Sequence, residues 1–556
     1  MGKAPDEPSS SGRPTSESRG ALGILACLAA CVPFLFNFVA WTASSYDRVQ
    51  KLRRYGEDMS VATTSYLERR EPTGSPAIKL SSIAAQRYGL GLQATMLKEE
   101  QQLGLRPWQF WRTLPVDSPV RPGPIVHRNN DDVGRAWLAE LGFRLLGGVA
   151  PFLLLWLAAL ACVPVLGWMV WELAGAGHVV AGVVFAIACA CSPFFVESMA
   201  LPYSAFGFYL VGLLAIAAFA VFAIMRIPDA RGFLLRALAL GPLLAVCALC
   251  RDGILLALPG LLLAMMLGAR RIVAVPAAAV SGPRWRRGLG LVLLGFVAAA
   301  LPYALARSPT HHEIWTGVWE GLGDFDRTKG HVWSDAVAVK VLTDAGLDPG
   351  VPTAVEMFDR ELSSPEKEAF FRRLVLEDVR SDPLWFLTIL GKRVVATVTQ
   401  DELLVLGGRS APSEQARRGR GAPISPNQGR IRFFYHLVPS AASVGLGPWR
   451  LALPVGVLWA VGAAFVYAAV RDQEGRGPRP ALSVAACVAG SALPLPVLIT
   501  TAGALETEAF VLVYLLAFAF VVEWIWREGR AEFSGRAPTK KTNHESGSDN
   551  AVTAGC

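Results

Sequence analysis

Charge is scarce in this chain. Only 18% of its 556 residues are Asp, Glu, Lys or Arg, where soluble domains carry about 25%. That shortage, with 53% hydrophobic residues, excludes an ordinary soluble globular protein. Strand-like alternation of apolar and polar residues is missing too, which argues against a transmembrane β-barrel. Cysteine is absent from the long polar stretches: Cys27, Cys31, Cys162, Cys189, Cys191, Cys247, Cys250 and Cys487 lie in or beside apolar blocks, and Cys556 ends the chain. The polar segments therefore carry neither a disulfide framework nor a Cys-rich zinc site. No internal repeat is apparent.

What is present is a series of long apolar blocks. Blocks of roughly 18–25 residues match the hydrocarbon core of a bilayer, about 30 Å thick, and lipid leaves a helix as the way to satisfy the backbone within one segment. The blocks fall near 21–41, 144–168, 178–200, 204–226, 232–250, 253–268, 288–307, 450–470, 481–501 and 508–527. The expected fold is an all-α integral membrane protein of about ten transmembrane helices with two external, partly helical soluble segments.

The formal net charge is +8, but the basic residues gather in short loops: Arg226 and Arg231; Arg270, Arg271, Arg284, Arg286 and Arg287; Arg471, Arg476 and Arg479; Arg527, Arg530, Lys540 and Lys541. This is the pattern of topology determinants rather than of a nucleic-acid partner. With ten spans these loops share one face, which predicts cytoplasmic termini and a cell (inner) membrane location. The resulting plan is a disordered tail over 1–20 and a transmembrane core over 21–307 with an external loop at 42–143. An external segment with interfacial helices follows over 308–449, then transmembrane helices over 450–527 and a second tail over 528–556. The pattern over 364–381 predicts an amphipathic helix opened by Ser364-Pro365 and closed before Asp382-Pro383. The stretch 385–399 is too short and basic to span and is placed at the interface, and 408–430 reads as a loop.

Ionisable groups near membrane depth are costly and mark candidate sites. On this plan several collect at the external face: Asp47, Asp131, Asp132, Glu197, Arg251, Asp252, His311, His312, Glu313, Glu506 and Glu508. Each also has a structural reading. Asp47 is then the first solvated residue after a helix, Asp131-Asp132 cap the helix that follows, Glu197 packs or snorkels, and Arg251-Asp252 form a solvated turn. The two histidines are then interfacial residues. The densest string is HHEIWTGVWEGLGDFDRTKGHVWSDAVAV, residues 311–339. Trp315, Trp319 and Trp333 among glycines fit an aromatic belt, and equally a platform on which a sugar stacks while glycine lets the backbone approach.

The plan, with CALCRDGILLALPGLLLA (247–264) and SPFFVESMALPYSAF (192–206), resembles the C-type membrane glycosyltransferases, such as protein mannosyltransferases and bacterial aminoarabinose transferases. That resemblance implies transfer of a sugar from a polyprenyl-phosphate carrier to a lipid, glycan or protein acceptor outside, within a bilayer whose lipids are the other partner. It implies Asp47 as general base, with Asp131 or Asp132 as alternatives. Arg251, His311, His312, Glu313 and Trp315 fall on the donor phosphate and sugar side. No cofactor is assigned, and a divalent metal is one candidate for charge stabilisation there. Ala205 and the string ETEAF (506–510) depart from the superfamily pattern. These departures motivate a non-catalytic lipid-linked-sugar binder or envelope scaffold as an alternative, with a lipid-sugar transporter as a third reading.

Overall fold

The computed structural model describes residues 160–192, 205–226, 230–273, 284–305, 314–325, 329–331, 335–347, 365–398, 404–406, 436–439, 449–453, 455–471, 478–500 and 509–533, with Leu25, Ala29, Val32, Leu145, Phe34 and Phe195. These residues are overwhelmingly helical. Four helical stretches are long and apolar enough to cross a membrane: Gly207–Met225, Arg231–Cys250, Asp252–Arg270 and Arg479–Leu498.

The main bundle contains α1 (Cys162–Gly175), α2 (Val179–Cys191), α3 (Ala205–Met225), α4 (Ala230–Cys250), α5 (Leu258–Val273) and α6 (Arg284–Leu305). A 3-10 turn, Asp252–Ala257, joins α4 to α5. Helix α3 is apolar all round and sits at the centre, touching α1, α4 and α5. A helix with no polar face has to be enclosed, and Tyr209 through Ile224 are buried almost without interruption. Outward faces of the surrounding helices are apolar as well. Leu235, Leu293, Leu294 and Val297 are exposed, a surface that suits lipid rather than water.

Where helices touch, small residues let backbones close in, as lipid-immersed packing requires. A Cβ on Gly241 of α4 would lie 2.3 Å from the Val292 carbonyl oxygen of α6, and one on Gly260 of α5 would lie 2.0 Å from that of Cys487. Ser491 donates from its hydroxyl to the Ala257 carbonyl at 3.0 Å.

A second helical unit follows: α7 (Ile314–Gly321), α8 (Asp335–Asp344), α9 (Pro365–Ser381) and α10 (Pro383–Val398). It has its own core of Trp319, Leu322, Ala338, Leu342, Phe371, Val375 and Ile389. Strands β1 (Leu404–Leu406), β2 (His436–Pro439) and β3 (Trp449–Leu453) pair antiparallel in the order β1-β3-β2. The chain then returns to the bundle as α11 (Val455–Arg471), α12 (Pro478–Ala492), α13 (Pro494–Leu498) and α14 (Val511–Phe533). Helix α12 packs on α3 and α5, and α14 packs on α2, α11 and α12. Phe34, from the first apolar block, is buried and meets Phe195 edge-on at 5.9 Å.

Several expected boundaries move. Helix α1 continues to Gly175 instead of stopping at 168, and α14 runs to Phe533 instead of 527, so Arg527 and Arg530 are helical. Helix α2 ends at Cys191, well before 200, because Ser192 is extended (φ −76°, ψ 110°), as expected of a residue preceding proline. The block expected to start at 450 begins as β3 and turns helical only at Val455. The amphipathic helix expected over 364–381 is found as α9, and the stretch placed at the interface falls within α10, Pro383–Val398.

Candidate functional site at the Thr500 end

Polar contacts define two ends of the bundle. At one end Glu172 of α1 is fully buried and accepts from Arg226 after α3 (2.7 Å), Arg236 of α4 (3.0 Å) and the Trp168 indole (3.0 Å). Nearby Glu523 of α14 meets His178 at 3.1 Å, the Ala181 backbone N–H at 3.3 Å and Arg527 at 2.6 Å. At the opposite end Tyr209, near the start of α3, donates to the Ser491 carbonyl at 3.5 Å. Beyond it lie α13, Thr500 and the unit formed by α7–α10.

That unit is fastened by a buried cation. Arg393 of α10 is fully enclosed; its Nε donates to Asp324 at 3.1 Å and its Nη1 to the Val497 carbonyl at 3.0 Å. Thr500 donates to the other oxygen of Asp324 at 2.9 Å. An isolated buried charge costs several kcal/mol, so Asp324 and Arg393 fold together or not at all. Gly321 makes the approach possible, since a Cβ there would lie 2.1 Å from the Ile499 carbonyl oxygen. The glycine that suggested room for a ligand instead gives the backbone room to dock on the bundle.

Glu368 of α9 reaches across to the start of α7. It accepts from the backbone N–H of Trp315 (2.9 Å) and Thr316 (3.2 Å), and from the Thr316 hydroxyl (2.9 Å). These donors are unsatisfied at any helix start, and a carboxylate there also meets the favourable end of the helix dipole. Trp315 is thus held by its backbone, while its ring packs beside the unit's core.

Within the core lies a polar group framed by aromatics. His331 is buried; its Nε2 lies 2.9 Å from Asp378 of α9. Trp319 meets the imidazole edge-on at 5.1 Å, and Trp385 of α10 stacks on it at 6.0 Å. Lys329 lies 3.7 Å from Asp378 and 4.2 Å above the Trp385 ring. The neighbouring Gly330 takes a left-handed conformation (φ 80°), which lets Lys329 and His331 turn back onto α9 and α10. Burial lowers the His331 pKa from its ordinary value, against the opposing pull of Asp378. With Asp378 accepting from Nε2–H, neutral His331 offers Nδ1 as a hydrogen-bond acceptor. Among the described residues this buried Nδ1 has no partner, and neither does the buried Trp385 Nε1–H. The Lys329 and Asp378 charges cancel, so the group as a whole is neutral.

Of the residues singled out by sequence, Arg251, Asp252, Trp315 and Trp319 belong to the described part. Arg251 ends α4 with an extended backbone (φ −155°, ψ 99°). Helix α13 links the two regions: Gly253 packs on Leu495, and Ile499, which follows α13, lies against Gly317 and Gly321 of α7. Asp47, Asp131, Asp132, His311, His312, Glu313, Glu197, Glu506 and Glu508 lie outside the described residues. Sequence reasoning missed Asp324, Lys329, His331, Asp378, Trp385 and Arg393. The density of the 311–339 string pointed to the first three; Asp378 comes from a helix read only as amphipathic, and Trp385 and Arg393 from a stretch read only as interfacial. Among the described residues no three His, Cys, Asp or Glu side chains gather to hold a metal. No family model, curated protein or solved structure matches the chain.

Proposed function

We propose that this protein is a multi-pass membrane glycosyltransferase that moves a sugar from a polyprenyl-phosphate carrier to an acceptor on the external face. The observation that carries the reading is the neutral, aromatic-walled group of Lys329, His331, Asp378 and Trp385, with a buried acceptor and a buried donor that lack partners among the described residues. Indole faces and paired hydrogen-bonding groups suit a hydroxyl-bearing sugar ring. The Glu172 end carries Arg226, Arg236, Arg527 and Arg530, so the positive-inside rule makes it cytoplasmic and the Thr500 end external. The full plan keeps about ten spans and the inner membrane location.

In this reaction the acceptor hydroxyl oxygen bonds to the anomeric carbon as the bond from that carbon to the carrier phosphate breaks. The hydroxyl proton passes to a base, and the polyprenyl phosphate departs with the bonding electrons. Asp47 is the first assignment for the base, with Asp131 or Asp132 as alternatives. Arg251, His311, His312, Glu313 and Trp315 serve the donor side. His331, oriented by Asp378 and neutral at physiological pH, receives a sugar hydroxyl at Nδ1.

The test is transfer of radiolabelled sugar from synthetic polyprenyl-phosphate mannose or arabinose by the protein in liposomes supplied with envelope acceptors. Label in the acceptor, reduced about 100-fold or more by Asp47→Asn, supports the reading. Donor bound without transfer turns the assignment to a lipid-linked-sugar binding or scaffold protein. Label crossing the bilayer with no new glycosidic bond turns it to a transporter.

A further inference from the structure

Helix α10 turns an apolar arc outward and buries an arginine. At about 100° per residue, positions 384, 387, 388, 391, 394 and 395 fall on one arc about 120° wide. On that arc Leu384 is 75% exposed, Leu387 59%, Val394 39% and Val395 56%. The opposite face holds Ile389, Arg393 and Thr397, all buried. A water-facing helix keeps its apolar residues inside; here the exposed cation, Lys392, sits beside the apolar arc, where its long stem lies along lipid and its amine reaches the headgroups. The single hydroxyl on the exposed arc is also dealt with locally: Thr388 donates to the Leu384 carbonyl at 2.9 Å, a back-bond that leaves no donor seeking water.

The helix is also continuous with the bundle. Its Arg393 holds the Val497 carbonyl beyond α12, and the Tyr514 hydroxyl of α14 donates to the Val398 carbonyl at its C-terminal end. Tyr514 lies about one turn inside the start of α14, so the C-terminal end of α10 reaches the depth at which that apolar helix is already under way. With 16 residues, α10 is about 24 Å long, shorter than the roughly 30 Å needed to cross.

We infer that the Leu384–Leu387–Val394–Val395 face of α10 lies among the acyl chains of the bilayer, so that α10 is a membrane-embedded, non-crossing helix forming part of the lipid-facing wall at the Thr500 end. Apolar side chains then meet lipid while the one arginine pointing inward is neutralised by Asp324, which is how charge is tolerated at membrane depth. The inference is independent of the glycosyl-transfer reading.

The test uses the full protein in phosphatidylcholine–phosphatidylglycerol liposomes, with a nitroxide label on Leu387→Cys, Val395→Cys and, as a water-exposed control on α9, Arg373→Cys. Wild-type protein carried through the same labelling reports any reaction of the native cysteines. Collision with oxygen, which partitions into lipid, and with a water-soluble nickel chelate is read at each site. Oxygen is expected to dominate at 387 and 395, with the order reversed at 373. Nickel accessibility at 387 and 395 overturns the inference, because the face is then in water. Protection from both reagents overturns it too, because a protein surface then covers the stripe. Retained cooperative melting of the labelled variants shows that the readings come from folded protein.

Discussion

The two ends of the bundle each bury a carboxylate, and they satisfy it in different ways. Glu172 is wholly enclosed, but its partners Arg226 and Arg236 are about a third exposed, at 29% and 32%, and keep contact with solvent. Asp324 and Arg393 are both fully enclosed. The first arrangement is a strap: either arginine can leave and the other remains. The second is a lock, with each charge depending on the other and on Thr500 and Val497. Redundancy at one end and mutual dependence at the other predict different responses to mutation.

The lock is where the largest effect is expected. Arg393→Ala strands Asp324 and costs about 3–5 kcal/mol, measured as a fall in melting temperature in detergent. The pair change Asp324→Leu with Arg393→Met recovers part of that loss, since no unpaired charge remains. Equal damage from the single and double variants would show that shape rather than charge closes the lock.

The neighbouring glycines sharpen the point. Gly321→Ala drives a Cβ against the Ile499 carbonyl and loses about 1–3 kcal/mol. Gly317→Ala, whose Cβ would meet only Ile499 Cγ2 at 3.6 Å, leaves stability unchanged or improves it through helix propensity. Limited proteolysis between α7 and α9 separates the two outcomes.

The strap should yield less. Removing one arginine, as in Arg226→Ala, costs about 1 kcal/mol or less, and the loss shrinks at high salt because the partners are partly solvated. Removing both arginines costs more than twice the single change, since Glu172 is then stranded. Denaturation by SDS at two salt concentrations checks both statements.

The smallest expected effect is with pH. Burial lowers the folded-state pKa of His331 below its value of 6.5, so the unfolded chain binds the proton more readily. The contribution of neutral His331 is fully present above about 6.5 and is lost as pH falls through the lower folded value. His331→Gln, which keeps a donor for Asp378 and cannot be protonated, should flatten the change in melting temperature between neutral and mildly acidic pH.

These residues also show how far sequence reasoning reaches. The predominantly helical, membrane-protein character of the described part follows from apolar block length and charge scarcity alone, because a bilayer imposes length and backbone satisfaction on any spanning segment. Helix α9 was legible at both ends because Ser364-Pro365 is a local start signal and Asp382-Pro383 a local stop signal. Helix ends set by context were not: α2 stops at Ser192 because of the following proline, inside a block that stays apolar.

The candidate site was legible only as a region. The 311–339 string marks aromatics, glycines and carboxylates as unusual, yet Gly321 reads the same whether it admits a ligand or another backbone. Nor does the pattern of α10 say that Arg393 points inward and its leucines outward, because periodicity gives the arcs and not which arc meets protein. The pairings of His331 with Asp378 and Asp324 with Arg393 join residues tens of positions apart. Composition and block length determined that the chain belongs in a membrane; only tertiary packing decided which charges meet, because their mutual stabilisation exists only once the helices have brought them out of water together.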